Sequence, residues 1–114
     1  MLRIVKTLYL KPDPESIARY REIHENIWPE IRQGIKDAGI HNMELFLLGN
    51  LAVMTVEIED GLNPESVFDK LASLPRQQEW ENFVARFQQC GKDDSSAQKW
   101  HDMERIFSLT HENC

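Results

Sequence analysis

At 114 residues the chain has length for one domain, and 41% apolar with 28% charged residues suits a folded globular protein rather than a disordered one. Its 19 acidic against 13 basic residues give a net charge of −6, and no Lys/Arg cluster offers nucleic acid a basic patch. No cationic start leads into a long apolar run, so neither secretion nor a membrane span is expected.

Residues 3–11, RIVKTLYLK, alternate as a strand with Ile4, Leu8 and Leu10 on one side. KPDPES then ends the strand, with Asp13 as N-cap ahead of Pro14. The stretch 14–38 reads as a helix whose apolar stripe is Ile17, Tyr20, His24, Ile27 or Trp28, Ile31, Ile35 and Ala38. Glu15, Arg19, Glu22, Glu25, Arg32 and Lys36 form its solvated face. Pro29 cannot donate to the helical ladder, so a bend or restart is expected near Trp28, and Gly39 suits the left-handed residue past the end.

NMELFLL (42–48) and LAVMTVEIE (51–59) read as a hairpin around Gly49-Asn50, with Ala52, Met54, Val56 and Ile58 on one face of the second strand. Residues 64–74 form a further helix stopped by Pro75, and 76–89 another with Trp80, Phe83, Val84 and Phe87 as its stripe. Residues 91–99 have loop composition, 100–109 return to an extended pattern as a fourth strand, and the tail 110–114 is expected to fray. The order β-α-β-β-α-β predicts an α+β, ferredoxin-like domain over 1–114 with a four-stranded antiparallel sheet. Helices on one face leave an apolar second face, so two subunits are expected to pack sheet against sheet as a homodimer.

Cys90 and Cys114 form no C-x-x-C pair and are read as reduced thiols in the cytoplasm. His24, His41, His101 and His111 lie in separate segments without H-x-x-x-H spacing, so no metal site is indicated. The pattern does place Tyr20 and His24 one turn apart within an apolar stripe. Trp80 arrives from another helix on the same side of the sheet, while Glu79, about 100° away around that helix, reaches only the rim. Tryptophan stacks on the C–H face of a sugar, and tyrosine, histidine and carboxylate exchange hydrogen bonds with hydroxyls, so these residues suit a small polyhydroxylated ligand. The plainer alternatives are a hydrogen-bonded core histidine and a core tryptophan. Whether Trp28 or Trp100 lines the pocket is left open.

YREIHENIWPEI (20–31), AGIHNMELFL (38–47), MTVEIE (54–59), QQEWENF (77–83) and ERIFSL (104–109) together resemble the L-rhamnose mutarotase family over nearly the whole chain. The resemblance implies a dimeric α/β barrel that interconverts the α and β anomers of a 6-deoxy sugar without cofactors. By that likeness His24 matches the acid/base histidine, and Tyr20 and Trp80 match sugar contacts. Met43 stands where a sugar-contacting tyrosine is usual, and Glu79 where the first of two adjacent tryptophans is usual. Those two departures turn the expected substrate from L-rhamnose toward L-fucose. A cofactor-free monooxygenase and a non-catalytic sugar-binding module on the same fold are the alternatives of other classes.

Overall fold

The opening alternation becomes strand β1 (Leu2–Tyr9), and the Asp13-Pro14 junction starts helix α1 (Pro14–Glu25). Asp13 is extended, and its carboxylate accepts from the Ser16 N–H at 2.9 Å, satisfying a first-turn donor that no helical carbonyl reaches. The structure, a computed structural model, describes residues 2–89 and 99–109.

The helical stretch 14–38 is two helices. α1 closes at Asn26, and α2 (Pro29–Asp37) begins at Pro29, whose missing N–H is harmless at a first helical position. The break at Ile27-Trp28 divides the expected stripe into two short ones: Tyr20 and Ile23 are buried in α1, Ile31 and Gly34 in α2. Gly39 follows with φ 103°, a conformation that needs no side chain.

Strands β2 (Ile40–Leu48) and β3 (Leu51–Ile58) form the hairpin, closed by Gly49 at φ 59° and Asn50. Pairing runs from Leu48 opposite Leu51 back to Ile40 opposite Ile58, with one irregularity between Ile40 and Asn42. Asn63 caps helix α3 (Pro64–Ala72). Helix α4 (Gln77–Val84) ends in a 3-10 turn over Ala85–Phe87, so the helix expected over 76–89 is shorter than its apolar spacing suggested. The loop expected at 91–99 lies outside the described residues apart from Lys99, as does the tail 110–114.

The sheet order is β2-β3-β1-β4 with every pair antiparallel, which is the ferredoxin-like split β-α-β arrangement. Leu8, Leu10, Ala52, Met54, Val56 and Ile58 point toward the helices and are buried. All but Leu8 belong to one of two packed clusters. One gathers Leu10, Tyr20, Ile23, Ile31, Ala52, Trp80 and Val84; the other gathers Ala38, Ile40, Met54, Val56, Ile58, Val67 and Leu71. The opposite sheet face carries Tyr9, Phe46 and Leu48, all exposed.

The fourth strand is much shorter than expected. β4 comprises only His101–Asp102, paired with Thr7 and Lys6, and its last bond to β1 runs from the Met103 N–H to the Val5 carbonyl at 2.8 Å. Continued alternation would put Met103, Phe107 and Leu109 on the outer sheet face, which none of the described residues covers. They are exposed instead, Phe107 at 74% and Leu109 at 88%. Apolar residues alone do not make a strand where no surface receives them. Among the described residues no helix is long and apolar enough to cross a membrane.

Candidate active site

A depression of about 170 Å³ lies between α1 and the β2 edge of the sheet, lined by Tyr20, Arg21, His24, Glu25, Leu45 and Leu47. The helix supplies its polar residues because positions 20, 21, 24 and 25 fall on neighbouring turns of one side. The strand supplies Leu45 and Leu47 because alternate β2 residues face the helices.

His24 is half-buried here. Its Nδ1 lies 2.7 Å from the main-chain carbonyl oxygen of Tyr20, one turn back. A carbonyl can only accept, so Nδ1 carries a hydrogen and donates it, leaving Nε2 with the lone pair in the neutral ring. Burial lowers the His24 pKa from 6.5, opposed only in part by that hydrogen bond, so the ring is neutral at pH 7. A neutral imidazole with a fixed tautomer starts as a base and becomes an acid once it has accepted a proton.

Two rings contact the imidazole. The Tyr20 ring lies 4.4 Å away between centroids, and Trp80 meets it edge-to-face at 5.4 Å. Trp28 meets Trp80 in the same way at 5.1 Å and stacks on Phe83 at 5.6 Å. Tyr20 is 3% exposed and its phenol is pushed up to about 12, chiefly by burial, so it remains protonated throughout the neutral range.

The structure thus brings together Tyr20, His24 and Trp80, three residues singled out from the sequence. Trp80 belongs to the core cluster and contacts the imidazole, without lining the depression itself. Met43 shares a strand face with Leu45 but packs against the second cluster, outside the depression. Glu79 is on the surface at the start of α4, where the Nε and Nη2 of Arg76 donate to its two oxygens at 3.1 Å each. Those bonds hold its carboxyl below the usual carboxylate range. Trp28 stacks on Phe83 and has the Arg76 guanidinium over its ring at 4.4 Å, and Trp100 packs at the junction of the two clusters.

Sequence reasoning passed over Arg21, Leu45 and Leu47, and placed Glu25 with the solvated face. It is exposed, and it also lines the rim. Spacing could have found Arg21 and Glu25, since both neighbour His24 on the helix surface; only the sheet register could have found Leu45 and Leu47. Among the described residues, no group of three or more His, Cys, Asp or Glu side chains is placed to hold a metal ion.

Comparison with known proteins agrees with this geometry. The family model described as L-rhamnose mutarotase matches residues 3–109. The chain belongs to the L-rhamnose mutarotase family. It is therefore a carbohydrate isomerase. It is 32% identical over 112 residues to the L-fucose mutarotase of Xanthomonas campestris pv. campestris, covering 96% of this chain and 90% of that one. To the L-rhamnose mutarotase of Enterococcus faecalis it is 28% identical over 108 residues, covering 93% and 99%. The crystal structure of an L-rhamnose mutarotase from Formosa agariphila superimposes with a TM-score of 0.74 at 22% identity, over 96% of this chain and 99% of that one, which is a likeness of fold.

Proposed function

We propose that the protein interconverts the α and β anomers of a free 6-deoxy-L-hexose, L-fucose ahead of L-rhamnose, in the cytoplasm. Mutarotation requires a proton removed from the anomeric hydroxyl and one delivered to the ring oxygen; rotation about C1–C2 and re-closure then give the other anomer. Neutral His24 takes the first proton on Nε2, and the resulting imidazolium supplies an acid for the ring oxygen, directly or through water. Tyr20, protonated at all working pH values, donates a hydrogen bond to a sugar oxygen, and Trp80 walls the imidazole. No cofactor enters this scheme.

The observation that supports the reading is the His24 Nδ1 contact to the Tyr20 carbonyl, which leaves Nε2 as the proton acceptor of a residue that lines a depression of about 170 Å³. For L-fucose, support comes from the Xanthomonas relative and from Met43, which lacks the aromatic hydroxyl of the L-rhamnose pattern. Glu79 keeps spare lone pairs beside its Arg76 bonds, because a carboxylate offers about four acceptor positions. It contributes to sugar choice through those.

The assembly is a homodimer in this reading. Tyr9, Phe46 and Leu48 on the outer sheet face, with Met103, Phe107 and Leu109 beyond β4, form the surface that a second copy covers. NMR saturation transfer between the anomeric protons of L-fucose and of L-rhamnose, with and without the protein, tests the activity. Transfer that is no faster with the protein than without it, for both sugars, would refute the proposal.

A further inference from the structure

Bonded to the Tyr20 side chain, and not itself lining the depression, is a buried residue that neither the sequence pattern nor the proton-transfer scheme employs. Gln88 is 2% exposed, and its Nε2 donates to the Tyr20 phenolic oxygen at 3.3 Å. The two residues are 68 positions apart in the chain. Tyr20 is on α1, whereas Gln88 follows the 3-10 turn that ends α4.

Its main chain is held from several directions. Gln88 forms a bridge with Leu10, the Gln89 N–H donates to the Tyr9 carbonyl at 2.8 Å, and the Lys11 N–H donates to the Phe87 carbonyl at 2.9 Å. The Gln88 N–H itself donates to the Ala85 carbonyl at 3.2 Å. The segment after α4 therefore acts as a short extra strand beside the end of β1, and its amide is carried on a rigid support.

We infer that Gln88 is a positioning residue that fixes the direction of the Tyr20 hydroxyl hydrogen. A phenol has one hydrogen to give and lone pairs to receive. An amide N–H spends a lone pair and leaves the hydrogen to be given elsewhere, so Tyr20 presents itself to the depression as a donor. The same residue's main-chain carbonyl holds His24 Nδ1, so Tyr20 joins the two groups: its helical backbone fixes the tautomer of the base, and its anchored side chain directs the hydrogen-bond donor for the sugar. This inference rests on the mutarotase reading, and its consequence is selectivity for a sugar oxygen that accepts at the Tyr20 position.

Two substitutions separate this role from packing. Gln88→Met keeps the length and removes the donor. Gln88→Glu keeps the shape and offers an acceptor, which draws the phenol hydrogen away from the depression. Exchange rates for L-fucose and L-rhamnose would be measured for both, alone and combined with Tyr20→Phe. Gln88→Met is expected to lower kcat/KM roughly two- to tenfold, the range of one neutral hydrogen bond, and Gln88→Glu by more. Added to Tyr20→Phe, neither should lower it further by as much as twofold. A packing role predicts additive losses, with the near-isosteric glutamate the milder, and that result overturns the proposal. If the buried glutamate prevents folding, Gln88→Met carries the cycle alone.

The second readout does not depend on activity. The chain has two tyrosines, so ring-carbon labelling gives a resonance for Tyr20 beside that of Tyr9. Gln88→Met should shift the carbon bearing the Tyr20 hydroxyl and leave Tyr9 in place; an unmoved Tyr20 signal overturns the inference. Wild-type protein that accelerates neither sugar would instead count against the mutarotase reading, with the Gln88–Tyr20 bond still decided by the spectrum.

Discussion

His24 donates through Nδ1 to the carbonyl oxygen of Tyr20, four residues earlier on the same helix, at 2.7 Å. A helical carbonyl already serves its own ladder, so the imidazole takes a second position on that oxygen and gains a fixed tautomer from the backbone alone. No neighbouring carboxylate is needed to orient it. The arrangement favours the neutral ring, because burial outweighs the hydrogen bond in setting the direction of its pKa shift.

The first prediction concerns that ring. His24→Ala should reduce accelerated anomer exchange by about 10²- to 10⁴-fold, the usual contribution of a placed acid/base. Because the ring is only half-buried, the variant should remain folded by circular dichroism. Wild-type exchange rates in a folded His24→Ala protein would remove the histidine from the mechanism.

The pH dependence follows from the same shift. A histidine whose pKa is lowered on folding binds its proton more readily in the unfolded chain. Its contribution to stability is therefore complete above its ordinary value of 6.5 and declines as pH falls from there toward the lowered native value. The active base is the neutral ring, so the acid limb of the rate profile should fall on the acid side of 6.5. Saturation transfer across roughly pH 4.5–8, a range bracketing histidine titration, checks this. A rate that instead falls as pH rises through this range would mean that the protonated ring is the working form.

Much of this site was legible because helix spacing is local. Tyr20 and His24 sit four apart, and Pro29 announces the break that frees Trp28 to turn toward Trp80. The hairpin was equally clear from the Ala52, Met54, Val56, Ile58 alternation. Gln88 was hidden for the opposite reason: it meets Tyr20 across 68 residues of chain, through a bridge that no periodicity encodes. The fourth strand was over-extended because an apolar run looks alike in sequence whether or not it pairs with the sheet. Only the packing exposes the difference.

Arg76 is the non-glycine residue with positive φ among those described, at 65°, and it links Glu30, Glu79 and the face of Trp28. A left-handed residue with a side chain costs about 1–2 kcal/mol, and the guanidinium over the Trp28 face offsets part of that. Arg76→Gly loses the contacts and relieves the backbone, so its stability should stay within about 1 kcal/mol of wild type. Arg76→Ala keeps the strain and loses the contacts, and should be less stable than Arg76→Gly by about 1 kcal/mol. Urea titration of the two variants checks the order; a more stable alanine variant would show that the strain is not felt.

Assembly gives another test. A stable sheet-on-sheet dimer should bury about 1,200–2,000 Å², and Phe46 and Leu48 lie on the exposed face where that burial would occur. Light scattering at micromolar concentration should give twice the chain mass, and Phe46→Glu combined with Leu48→Glu should return the chain mass. A wild-type monomer under those conditions would mean that this face stays wet.

The last prediction concerns the choice of sugar. L-fucose and L-rhamnose differ in configuration at C2 and C4, so a pocket that satisfies one leaves hydrogen-bonding groups unpaired with the other. Met43 lies two residues from Leu45 on the same strand face, about 6.6 Å along the strand, and packs against the second core cluster rather than at the depression. A tyrosine there would project past the neighbouring pair toward Leu45 and bring a hydroxyl near the rim. Met43→Tyr should therefore raise exchange of L-rhamnose relative to L-fucose by about fivefold, the equivalent of one net hydrogen bond of about 1 kcal/mol. Competition of the two sugars in one saturation-transfer experiment reads the ratio directly and is insensitive to the amount of active protein. An unchanged ratio in a folded variant would move the discrimination to Glu79 and Arg21. In that case Glu79→Gln, which converts one acceptor oxygen into a donor and weakens the Arg76 pairing, should alter the ratio where Met43→Tyr did not.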